Sequence, residues 1–150
     1  MAQSLAKNIL HLTFSTKLRR PLISPDIREE LARYLVGVVK GLECPALEVN
    51  CVADHAHILF CLSKNIALAE AVEKSKKASS KWIKTASPAF KDFYWQAGYG
   101  AFSVSQSSVS AVRRYIVNQQ ENHRKMTFQE ELIALLKKHQ IEYDQRYLWD

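Results

Sequence analysis

Two histidines one residue apart, His55 and His57, sit in the stretch VNCVADHAHILFCL, which otherwise reads as a buried strand. Side chains alternate faces along a strand. The two imidazoles therefore share a face, about 7 Å apart along the chain. They either form a ligand pair or need some other polar partner. A second cluster lies in SSVSAVRRYIVNQQENHRK, where Val109, Val112 and Ile116 are spaced to bury against a sheet. Tyr115 lies beside that stripe. Gln119 follows four residues on, about 6 Å away on a helix surface. Tyr115, Asn118, Gln119 and Asn122 then share one polar face that contains a phenol. Two imidazoles and an amide oxygen can bind a divalent metal and leave positions open for the oxygens of a phosphate diester. A tyrosine beside such a site can attack phosphorus and form a covalent phosphotyrosine. Its phenol ordinarily titrates near ~10, so it needs a metal or a base to act as phenolate. The phosphodiester energy stays in the new bond, and resealing needs no ATP.

The elements that must carry these groups are legible from periodicity and caps. Residues 8–15 alternate as a strand. Ser24 reads as the cap of a helix with Pro25 at its first position and Gly41 at its stop. Residues 46–53 and 55–62 form a hairpin around Asp54. Residues 66–85 form a lysine-rich helix that Pro88 ends, and residues 100–105 form another strand. One long helix is expected from Ser107 or Ser108 to Lys125. A further helix starts at Thr127, where Thr127 and Glu130 make a capping box. The aromatic tail IEYDQRYLWD should fold back; Tyr143 and Tyr147 in it lack an amide one turn on and read as packing. The order β-α-β-β-α-β is the split βαβ, ferredoxin-like arrangement of an α+β protein. It predicts an antiparallel sheet with helices on one face, plus an added C-terminal helix bearing the tyrosine. Residues 1–150 are expected to be a single domain.

The net charge of +6 favours a polyanionic partner. Positive residues gather at Lys17, Arg19 and Arg20, at Lys74, Lys76, Lys77, Lys81 and Lys84, and at Arg113 and Arg114 with Arg124 and Lys125. These clusters suggest a groove for nucleic acid, with Lys17, Arg19, Arg20, Lys74, Lys77, Lys81, Arg113 and Arg114 as DNA-contact candidates. The three cysteines include no CxxC pair and read as reduced thiols of a cytosolic protein. No apolar run reaches the ~20 residues of a membrane helix, and MAQSLAKNIL lacks the features of a signal peptide. The expected place is the cytoplasm.

His55-Ala56-His57 on a strand, followed by Tyr115-Ile116-Val117-Asn118-Gln119 on a helix, resembles the single-tyrosine HUH transposases, the IS200-like family of insertion sequences that move as single-stranded DNA. The HLTFSTK and WQAGYGAFSVS segments add to the likeness. Ala56 is smaller than the usual valine or isoleucine, and Asn122-His123 stands where relatives often have paired histidines. The resemblance implies that His55, His57 and Gln119 hold magnesium or manganese and that Tyr115 is the nucleophile of a 5′-phosphotyrosine link. It also implies a homodimer and recognition of DNA hairpins at element ends. His11 reads as structural. A competing reading is a catalytically idle or domesticated protein that binds single-stranded nucleic acid on the same scaffold.

Overall fold

The computed structural model describes residues 2–149. Its strands are β1 (Ile9–Ser15), β2 (Ala46–Cys51), β3 (His55–Cys61) and β4 (Gly100–Ser103). They form one antiparallel sheet in the order β2-β3-β1-β4. The helices are α1 (Arg28–Gly41), α2 (Leu68–Ala86), α3 (Val109–Val117), α4 (Gln119–Lys125) and α5 (Phe128–Lys138). This is the expected α+β, ferredoxin-like arrangement.

The period of two divides the central strands into two different surfaces. Leu10, Leu12 and Phe14 of β1, with Ala56, Ile58 and Phe60 of β3, enter the main core against Leu31, Leu35 and Val39 of α1 and Val72 and Ile83 of α2. The alternate residues face the other way. Ile9 and Leu59 pack on Ile116 of α3, and Phe102 packs on Phe128, Leu132 and Leu136 of α5. His11, His55 and His57 belong to this second face. The α1–α2 pair thus covers one side, and the added C-terminal helices lie over the histidines.

Several boundaries differ from the sequence expectation, each for a local reason. Helix α1 starts at Arg28 rather than Pro25. The Ser24 hydroxyl donates to Asp26 Oδ1 and caps no helical N–H. The long helix expected to Lys125 is interrupted at Asn118, between α3 and α4. Asn50 of β2 donates its side-chain amide to the carbonyls of Ile116, at 2.8 Å, and Val117, at 3.4 Å. Those carbonyls would otherwise accept from the next helical turn. A one-turn 3₁₀ segment at Gln106–Ser108 precedes α3.

Two features seat the loop before β4 and the helix above it. Lys76 of α2 donates to the carbonyls of Gln96 (2.9 Å) and Gly98 (2.7 Å), tying down the WQAGYG segment. A Cβ on Gly100 would stand 2.8 Å from Leu132 Cδ1, so any larger residue there would force the Leu132 side chain of α5 to shift. The tail does fold back: Tyr143, Leu148 and Trp149 pack on the α5 cluster. Tyr147 is exposed. The cysteines are unpaired thiols, and burial pushes that of Cys51 up to about 12. No helix among the described residues is long and apolar enough to cross a membrane.

The capping box at the start of α5 is complete, with Thr127 Oγ1 accepting from Glu130 N and Glu130 Oε1 accepting from Thr127 N. Thr127→Ala should therefore lower stability by about 1 kcal/mol, measured as a shift of the urea midpoint without a change in slope.

Candidate active site

The site grows from the register of the central strands. His57 pairs across β1 with Thr13, and His11 pairs with Leu59, so His11 and His57 are diagonal neighbours on one face. His11 Nε2 lies 2.7 Å from His57 Nδ1. His55, at the start of β3, places Nδ1 2.7 Å from Asp54 Oδ1. Both imidazoles thus have their Nδ1 engaged from behind, and both turn Nε2 toward the helices. Such a partner fixes the tautomer and the ring orientation of a ligating histidine.

The helices answer with Gln119, Tyr115 and Glu131. Gln119 opens α4, and its Oε1 lies 3.1 Å from His55 Nε2. Glu131 projects from α5, with Oε1 2.8 Å from His57 Nε2 and 3.4 Å from His55 Nε2. Its other oxygen, Oε2, accepts from the Tyr115 hydroxyl and, at 3.1 Å, from Gln119 Nε2. The Tyr115 backbone carbonyl accepts from Asn122 Nδ2. His11, His55, His57, Gln119 and Glu131 are all buried, while Tyr115 keeps partial access to solvent. His55, His57 and Glu131 form a buried group able to hold a metal ion.

Burial and pairing set the charges. Burial alone would lower the pKa of His55, but bonds to Asp54 and Glu131 outweigh it and raise it from 6.5 to about 9. His11 is lowered to about 3 by burial and by His57. Burial also lowers His57. Glu131 would be raised by burial, yet its bonds to His55 and His57 hold it far below the carboxylate range. The Tyr115 phenol is pushed above its usual value, by burial first and then by the charge of Glu131.

A family description, "Transposase IS200 like", matches residues 4–119. The chain belongs to the IS200-like transposase family. It is similar to the ISDra2 transposase TnpA of Deinococcus radiodurans, with 25% identity over 118 residues that cover 74% of this chain and 83% of that protein. Two solved structures share the fold. One is a Deinococcus radiodurans protein described as a transposase, with a TM-score of 0.62 and 20% identity, covering 79% of this chain and 98% of that one. The other is a REP-associated tyrosine transposase bound to a REP hairpin, with a TM-score of 0.59 and 13% identity, covering 82% of this chain and 73% of that one.

In this IS200-like chain the residues singled out for chemistry converge: His55, His57, Tyr115 and Gln119 meet inside one protomer. The basic candidates do not form one groove. Lys74, Lys77 and Lys81 ride on α2, on the far side of the sheet from the histidines, and Lys74 and Lys77 pair with Glu70 and Glu73. Lys17, Arg19 and Arg20 follow β1, beside the Asp54 turn, where Thr16 N donates to Asp54 O. Arg19 reaches the Trp149 carbonyl. Arg113 and Arg114 precede Tyr115 on α3, with Arg113 3.5 Å from Glu48.

Sequence reasoning missed Glu131, Asp54 and the role of His11. Glu131 carried a signal, because Phe128, Leu132 and Leu136 set an apolar stripe and Glu131 falls beside it at helical spacing. His11 had one too, an inward position on an alternating strand.

The raised pKa of His55 predicts a pH dependence. Folded His55 keeps its proton to higher pH than unfolded His55, so the stability gained is complete below pH 6.5 and is lost as pH rises through about 9. His11 and His57, shifted down, exchange protons below that window. Lys76, lowered to about 8 by burial, adds an opposing slope from about pH 8 upward, in the upper part of that window. Asp54→Asn leaves Lys76 untouched. The stability advantage of metal-free wild type over Asp54→Asn should therefore shrink between pH 6.5 and 9, measured by urea midpoints in chelator.

Proposed function

We propose that this transposase cleaves and rejoins single-stranded DNA with divalent-metal assistance, through a 5′-phosphotyrosine at Tyr115. The observation that carries the reading is that one carboxylate, Glu131, touches both the Tyr115 hydroxyl and the paired histidines within a single chain.

The residues fit a divalent cation. Two imidazole nitrogens with their Nδ1 sides already engaged and a buried amide oxygen converge, an N,O donor set that suits manganese better than magnesium. His55, His57 and Gln119 would hold it. Bound there, the ion would draw charge from a non-bridging phosphate oxygen and stabilise the departing 3′-oxygen.

The chain's own groups do the rest. The raised pKa keeps Tyr115 protonated at neutral pH, so its proton must leave as the oxygen attacks. Glu131 Oε2 already accepts that hydrogen bond and aims the phenol, and the proton passes on to solvent, since a carboxylate held so far below its usual range does not keep it. The Tyr115 Oη–P bond forms, the P–O3′ bond breaks, and the 3′-oxygen takes a proton from solvent. Rejoining reverses the exchange, with a 3′-hydroxyl displacing the tyrosine oxygen. Asp54 and His11 orient the imidazoles, and Asn122 fixes the backbone of Tyr115.

Tyr115 is read as acting in cis. In the homodimer that the resemblance implies, each chain would carry its own complete site. The hairpin bound by the REP-associated relative supports hairpin DNA as this chain's substrate. Lys17, Arg19, Arg20, Arg113 and Arg114 remain the proposed DNA contacts; Lys74, Lys77 and Lys81 would serve DNA only across the sheet.

With manganese and hairpin-bearing single-stranded DNA, wild type should yield a covalent adduct on a denaturing gel. Tyr115→Phe should yield none while its DNA affinity stays nearly unchanged. An adduct in the variant would overturn the assignment.

A further inference from the structure

We propose that Glu131 is a fourth protein ligand of the metal read above at His55, His57 and Gln119, supplied by a helix beyond the segment that the family description matches. The inference rests on that reading and adds an anionic ligand to it. The matched segment ends at Gln119, whereas Glu131 lies on α5.

The first argument is spacing. Ligands about 2.1 Å from one ion stand about 3.0 Å apart at octahedral angles and about 3.4 Å apart at tetrahedral ones. Glu131 Oε1 lies 2.8 Å from His57 Nε2 and 3.4 Å from His55 Nε2. Gln119 Oε1 lies 3.1 Å from His55 Nε2. The carboxylate oxygen thus keeps the distances of a fellow ligand around a common centre.

The second argument is orientation. Gln119 donates its Nε2 to Glu131 Oε2, which turns the amide oxygen toward His55 Nε2. Glu131 therefore contributes one oxygen itself and aims the amide's oxygen with the other. That second oxygen also takes the Tyr115 hydroxyl, so one side chain links the ion's site to the nucleophile.

The third argument is cost. Glu131 is 3% exposed, beside the Phe128, Leu132 and Leu136 stripe of α5. A buried carboxylate is strongly unfavourable unless a cation compensates it. In the metal-free protein only the two imidazoles that its oxygen faces stand against it. A dication held by neutral imidazoles would take over the role, and the carboxylate would leave it a net single positive charge for the phosphate.

The rival is a carboxylate that merely fills the ion's place. The two differ in sign under Glu131→Gln, which keeps size and hydrogen-bonding capacity and removes charge. Titration of the full-length, DNA-free chain with manganese chloride by calorimetry should show binding weakened at least about tenfold in Glu131→Gln. Unchanged or tighter binding would overturn the proposal. Should that variant not fold, Glu131→Asp, whose shorter arm withdraws the carboxylate, should weaken binding likewise, and equal affinity there would also overturn it. His57→Ala separates the two levels. If wild type binds no manganese, or His57→Ala binds as well as wild type, the metal reading itself falls. If His57→Ala loses binding while Glu131→Gln retains it, only the role of Glu131 falls.

Discussion

On one face of a four-stranded sheet, His11, His55, His57, Gln119 and Glu131 have been withdrawn from water together. Leaving any one of them unpaired would cost about 1–3 kcal/mol, and more for the carboxylate. They are satisfied by each other. His11 meets His57, His57 meets Glu131, and Glu131 meets Tyr115 and Gln119; His55 joins through Gln119 and is backed by Asp54. This closed polar network sets where α3, α4 and α5 can lie, because displacing any one of them opens a buried group.

The opposite face makes such a network affordable. Strand β3 alternates histidine with Ala56, Ile58 and Phe60, which sit wholly in the core beneath α1 and α2. The small Ala56 is completely buried there, and its carbonyl accepts from Thr13 Oγ1. The imidazoles are thus mounted on a strand whose other surface is locked by apolar packing, with β1 and β2 paired on either side.

The legible parts of this protein were those with local periodicity. The β-α-β-β-α-β order, the hairpin around Asp54, the cap at Thr127 and the shared face of His55 and His57 each follow from a few neighbouring residues. The tyrosine and glutamine of YIVNQ were legible because their types and spacing are unusual beside a buried stripe. What escaped depended on contacts remote in sequence. Asn50 interrupts the tyrosine helix from a strand 66 residues away, and no property of VNQQEN announces it. Glu131 reaches His57 across 74 residues. The basic clusters looked like one groove because charge was counted along the chain, whereas the sheet separates α2 from the histidine face.

The interruption at Asn118 has a mechanical side. With the axis broken there, the phenol and the amide ride on separate short levers joined by a single residue whose flanking carbonyls are already held by Asn50. An unbroken rod would drag both whenever either moved. The break lets each segment seat its own side chain independently, the phenol against Glu131 and the amide against His55.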